Sequence, residues 1–298
     1  MTQVREALTA ETLARLRNME LRARVMVEGH FSGQHRSHFK GASVEFADHR
    51  NYSPGDELRH LDWKLYGRSD RFFVKQYDAE TNMNVLLVLD ASGSMGYASG
   101  AVTKLQYASY LAAGLAYLTV GQGDAVGLAV FDTAVRYSLA PLSRPAHLRR
   151  LWEALDSVAP GGETGLSAAL AEAAGAMRRR GIVVLLSDLL DEPERVLRSL
   201  AYFRHRGHDA IVFQVLDTAE VTFRFHGPTV FEDLESGERL RTESDDIRAA
   251  YLQELAAFVG QVREGCRAAG MDYQQFVTHE PFDRALRAYL ARRARLTR

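Results

Sequence analysis

The sequence predicts an α/β protein built on a doubly wound, mostly parallel sheet. Four apolar runs of strand length, NVLLVLD (84–90), GDAVGLAVFD (123–132), GIVVLLSD (181–188) and DAIVFQVLD (209–217), read as strands buried on both faces. Helical patterns at 104–120, 147–159, 166–179 and 192–207 fill the intervals, as a sheet covered by helices requires. Two of the runs end in aspartate, Asp90 and Asp188, and ligands of open α/β sheets bind beyond the carboxyl ends of the strands.

Taken in order, residues 8–28 space Leu8, Leu13, Leu16, Met19, Leu21, Val25 and Val27 among charges, a mostly helical pattern. Residues 29–80 change character. Gly33, Gly41, Pro54 and Gly55 punctuate short strand-like pieces such as SVEFADHRNY and RFFVKQYD, which predicts a partly β appendage. The boundary is placed near residue 80, giving an N-terminal segment 1–80 and an α/β domain 81–298. Within the latter, two strand-like runs around Glu235-Ser236-Gly237 predict a hairpin inserted at about 221–242. A long helix over 246–270, a short strand (MDYQQFVT) and a helix from Pro281 complete the chain. That last helix carries six arginines and no acid in RALRAYLARRARLTR. Either it grips phosphate or an acidic partner, or it is a solvated face whose stripe of Leu286, Tyr289 and Leu290 packs inward.

Composition narrows the function. Lys and Arg total 37 and Asp and Glu 38, so the net charge of −1 argues against a dedicated nucleic-acid binder, which must neutralise phosphates. Cys266 is the sole cysteine, which excludes an intrachain disulfide and a Cys-rich zinc site and suits a buried small hydrophobe. No run approaches the ~20 apolar residues of a membrane helix, and the N-terminus is too charged for a secretory signal. The expectation is a cytoplasmic protein.

The chemistry concentrates at Asp90-Ala91-Ser92-Gly93-Ser94. An aspartate and two serines at alternate positions of a tight turn aim three oxygens at one spot, and small intervening residues let the backbone bend around it. Asp188 can meet the same spot from a neighbouring strand, and Thr164, in the Gly-rich loop 161–165, adds a hydroxyl. Two carboxylates and three hydroxyls form an all-oxygen set suited to a hard cation, Mg²⁺ first and Mn²⁺ or Ca²⁺ as alternatives. Asp and Ser after a strand are also routine turn and capping residues, and the Asp90 turn alone fits that role equally well. Competing motifs are absent: there is no P-loop, no His-Glu-x-x-His helix and no Gly-x-Ser-x-Gly elbow.

DASGSM, Thr164 and Asp188 resemble the metal-ion-dependent adhesion site (MIDAS) of von Willebrand factor type A domains, over about residues 83–217. The resemblance implies a doubly wound sheet whose metal keeps one coordination position for a partner's carboxylate. His35, Ser37, Gly41, Phe46, Arg50-Asn51-Tyr52, Gly55-Asp56, Arg59, Asp62-Trp63 and Lys75 resemble the signature region of the DUF58 family, and MDYQQFVTHEPFDRALRAYLARR is similar to that family's ending. Members of the family join such a segment to a type A domain and are typically encoded beside MoxR-type AAA+ ATPases. The resemblance therefore implies a non-enzymatic adaptor whose partner is such an ATPase or its client. Many members carry N-terminal membrane helices; this sequence shows none, so a membrane location is not carried over.

The expected metal ligands are thus Asp90, Ser92, Ser94, Thr164 and Asp188, and Arg50, Tyr52, Asp56, Arg59, Asp62 and Trp63 form a second candidate partner surface. The rival reading is a metal-dependent hydrolase using the same ion to activate water; only Glu163 offers itself as its base. Five histidines (His30, His35, His38, His49 and His60) fall in the irregular segment. The spacing His35-x-x-His38 can ligate a transition metal, but ordinary hydrogen bonding in a polar segment explains it as well.

Overall fold

The computed structural model describes residues 9–31, 46–51, 66–67, 72–77, 83–177 and 179–296. Its centre is a six-stranded sheet in the order β10-β7-β6-β3-β4-β5. These strands are β3 (Asn84–Asp90), β4 (Ala125–Phe131), β5 (Val135–Leu142), β6 (Gly181–Ser187), β7 (Asp209–Leu216) and β10 (Asp272–Val277). All neighbours are parallel except β4 and β5. The four apolar runs are therefore adjacent strands of one sheet. The sheet is the doubly wound, type A-like arrangement that the sequence predicts.

Alternation along β3 divides the core in two. Val85, Leu87 and Leu89 face a layer built from α1 (Ala10–Ala14), α2 (Met19–Phe31), α3 (Lys104–Gly121), α4 (Pro145–Ser157) and α9 (Asp283–Leu296). Leu86 and Val88 face α5 (Leu166–Ala176), α6 (Pro193–His205) and α8 (Ser244–Ala268). Period-two alternation with apolar residues at every position is what a strand covered on both faces demands.

Helix α3 starts at Thr103, whose side chain and that of Gln106 form a reciprocal capping box. It is apolar on nearly every side, and the charged Lys104 in its first turn is buried with the rest. The N-terminal helical pattern divides into α1 and α2, and Leu13, Met19 and Met26 join the same core as α3. The partly β segment contributes β1 (Phe46–Asn51) and β2 (Phe73–Tyr77), an antiparallel pair outside the central sheet.

Two elements have no counterpart in the sequence reading. Strand β5 is an exposed antiparallel edge in which only Leu139 is buried, so its hydrophobic pattern is weak and Pro141 obscures it further. The short helix α7 (Thr218–Thr222) follows β7 and is capped by Asp217 and Glu220. Beyond it, β8 (Pro228–Glu232) and β9 (Arg239–Glu243) form the expected hairpin.

The arginine-rich α9 packs Leu286 and Tyr289 fully inward. Arg293 pairs with the buried Asp124 at 2.5 Å, and Arg292 pairs with Asp209 at 2.5 Å, so these charges lock the helix to strand ends. Among the described residues no helix is long and apolar enough to cross a membrane.

Candidate metal site

Parallel pairing puts β3 and β6 side by side with Leu89 opposite Leu186, so Asp90 and Asp188 leave the sheet at the same edge. Both carboxylates are fully buried. The Asp90 Oδ1 accepts the Ser92 N–H at 2.9 Å, and Oδ2 accepts the Ser187 hydroxyl at 2.6 Å. The first bond is the tight turn expected of Asp-x-Ser, and it brings the Ser92 and Ser94 hydroxyl oxygens within 3.2 Å of each other. After Asp188 the chain turns sharply through Leu189, whose φ of 59° is left-handed. For a branched residue that conformation costs on the order of 1 kcal/mol. The turn is held by the Ser187 hydroxyl, which accepts the Leu189 N–H at 2.9 Å.

The 161–165 loop is tied to this turn by two backbone bonds. The Gly93 N–H donates to the Gly162 carbonyl, and the Gly161 N–H to the Ala91 carbonyl, each at 2.9 Å. Thr164 is thereby held beside the Asp90 turn. The structure brings Asp90, Ser92, Ser94, Thr164 and Asp188 to one end of the sheet, while Glu163 is exposed. Arg50 lies in β1 opposite Val74. Tyr52, Asp56, Arg59, Asp62 and Trp63 lie outside the described residues, as do His35 and His38.

Four further residues shape the site. Ser187 is the hydroxyl on Asp90. The Lys104 ammonium lies 2.7 Å from the Asp188 Oδ2 and 2.6 Å from the Glu220 Oε1. Burial opposes its charge, but these two carboxylates more than offset that and hold its pKa above the usual lysine value. Glu235, from the hairpin, accepts the Thr164 N–H at 3.1 Å and the Thr164 hydroxyl at 2.8 Å.

Signals for these residues were uneven. Ser187 stands beside Asp188, Asp217-x-x-Glu220 has capping-box spacing, and Lys104 is the lone charge opening an apolar helix. Nothing in the sequence marks Glu235.

Burial and mutual repulsion act against charge on the two aspartates. Burial, reinforced by the facing charge of Asp188, pushes the Asp90 pKa up to about 7. Lys104 is paired with Asp188 and Glu220, and Glu235 with Thr164. Among the described residues no group of three or more His, Cys, Asp or Glu side chains forms a cage by itself. The donor set is instead two aspartates with neutral hydroxyls, which fits a hard divalent ion of modest affinity.

Comparison with known proteins gives consistent likenesses. The family described as "Protein of unknown function DUF58" matches residues 48–258. An uncharacterised protein of Mycobacterium tuberculosis is 28% identical over 262 residues, covering 86% of this chain and 82% of its own length. The solved structure of the conserved hypothetical protein BatB from Bacteroides thetaiotaomicron aligns with a TM-score of 0.50 at 14% identity, over 72% of this chain and 99% of that one. The type A domain of SpRpn10 aligns with a TM-score of 0.40 at 8% identity, over 69% and 94% respectively. At such identities the structural likeness concerns the fold alone.

Proposed function

The chain belongs to the DUF58 family, and from that premise we propose that it is a metal-dependent protein-interaction module. One observation carries the reading: two buried aspartates face each other at adjacent strand ends beside a serine turn and a threonine loop. Asp90, Ser92, Ser94, Thr164 and Asp188 would hold Mg²⁺, directly or through water. When bound, the ion supplies a Lewis-acidic position that a carboxylate from another protein completes. Lys104 neutralises part of the Asp188 charge, which lessens the negative charge such a carboxylate would meet.

The surroundings support recognition rather than turnover. Leu190, Leu234 and Leu240 are exposed and line a groove with Ser94, Lys104 and Glu220, giving a partner apolar contact around the charged centre. The family resemblance points to a MoxR-type AAA+ ATPase, or a client delivered to it, as that partner.

The test is thermal unfolding across a Mg²⁺ titration, with association to the candidate ATPase measured in the same buffers. Binding to the folded state stabilises by mass action, roughly 2.7 kcal/mol at a hundredfold excess over Kd. The melting temperature rises with Mg²⁺ in the wild-type chain and stays flat in Asp90→Ala and Asp188→Ala. Association requires Mg²⁺ and disappears with chelator or in the Ser92→Ala/Ser94→Ala double variant. A melting curve indifferent to Mg²⁺ removes the metal reading, and association indifferent to chelator removes the site from the interface.

A further inference from the structure

The hairpin β8–β9 lies over the candidate metal site, and its tip is built to stay there. Asp233 organises the turn: its Oδ1 accepts the Glu235 N–H at 2.7 Å and the Ser236 N–H at 3.1 Å. The Asp233 N–H donates to the Glu238 carbonyl at 2.9 Å, and Gly237, with φ of 73°, donates back to the Asp233 carbonyl at 2.8 Å. These bonds fix the direction in which Glu235 leaves the turn. Just below the turn the hairpin is anchored by Phe231, which packs on Phe223 and Phe225 with ring centroids 5.7 and 5.2 Å away.

Two contacts join the tip to the site. The Glu235 carboxylate takes both donors of Thr164, its N–H and its hydroxyl. The Leu234 carbonyl approaches Gly93 so closely that a Cβ there would lie 2.5 Å from its oxygen, and the Glu235 Cγ would be 3.3 Å away. The middle residue of the Ser92-Gly93-Ser94 turn is thus covered by the hairpin. A half-buried carboxylate from the chain itself is thus bonded to one of the residues that the preceding reading assigns to the ion.

We propose that Glu235 is the site's own carboxylate: with the hairpin down it completes the metal centre in cis, and a partner's carboxylate gains access only by displacing Glu235 and lifting the tip. The proposal rests on the metal reading above and adds its regulation. It follows from chemistry on both sides of the contact. A carboxylate already bonded to one hydroxyl of the donor set needs little movement to serve the same ion, and it repels a second carboxylate approaching the same position. Binding of a partner then has two coupled parts, exchange of one carboxylate for another and release of the hairpin, so affinity for the partner is set by how firmly the tip is held.

Mn²⁺ alone is the probe. Its binding to the full chain is measured by calorimetry, its inner-sphere water by water-proton relaxation, and the hairpin by amide hydrogen exchange over 233–238. The comparison is wild type against Glu235→Gln, which keeps the shape and a hydrogen-bond acceptor for Thr164, with circular dichroism as the check of fold. In the wild type, Mn²⁺ slows exchange across the turn. In Glu235→Gln, Mn²⁺ binds about tenfold more weakly, since ligand charge sets affinity in oxygen sites. The relaxation enhancement per bound ion rises as water replaces the carboxylate, and exchange at the tip no longer responds to the ion. Equal affinity and equal relaxation in the two chains overturn the role of Glu235 while leaving the metal reading standing. No Mn²⁺ binding by the wild type, or equal binding by Asp90→Ala, overturns both.

Discussion

Lys104 shows what a single buried charge does in this fold. Its side chain is 1% exposed and meets Asp188 and Glu220, residues 84 and 116 positions away in the chain. Removing one member of such a buried ionic group leaves the others desolvated and unpaired, which typically costs about 3–5 kcal/mol. Lys104→Met is therefore expected to lose that much stability in urea unfolding without divalent metal, and a loss below about 1 kcal/mol would show that the carboxylates find water instead. At this scale the sequence was half legible. Asp90 and Asp188 end the two most apolar strands, so sheet geometry alone brings them to one edge. Lys104, Glu220 and Glu235 meet the site through contacts that no local spacing encodes. Cys266 is the opposite case: in the Ala- and Val-bearing α8 it is fully buried, and burial pushes its thiol up to about 12, as befits a packing residue.

Among the elements, the legible ones are those whose burial is uniform. Strands β3, β4, β6 and β7 are covered on both faces and read as unbroken apolar runs, and the largely buried α3 reads as a helix over the same residues. Strand β5 escaped because an edge exposed to water needs no apolar pattern. The hairpin was visible as two strands and a turn, but not its docking, which depends on a glycine in a distant loop. Gly93 has no Cβ to hold the Leu234 carbonyl away, so Gly93→Ala forces the tip or the serine turn to move. A displacement of packed backbone of this kind costs about 1–3 kcal/mol. Urea unfolding is expected to show that loss together with faster proteolysis between Asp233 and Arg239. Unchanged stability and unchanged proteolysis would mean that the hairpin does not rest on Gly93.

For the molecule as a whole, the question is which segments share one core. Helices α1 and α2 precede the irregular segment, yet Met26 is 2% exposed and its Sδ would lie 2.5 Å from a Cβ at Gly114 of α3. The glycine is the notch into which α2 settles. Met26→Ala is expected to cost about 2–5 kcal/mol and to keep a single unfolding transition; a separate early transition would show that the N-terminal helices fold independently of the sheet. What the sequence determined alone follows from local rules. Burial on both faces demands continuous apolar strands, strand ends place Asp90 and Asp188, and a tight turn of small residues gathers the serine hydroxyls. Tertiary structure alone decided that α2 lies on α3, that Lys104 reaches Asp188 and Glu220, and that a hairpin carries Glu235 onto Thr164. These pairings join residues far apart in the chain, where the complementarity of two surfaces sets the contact and neither surface records its partner.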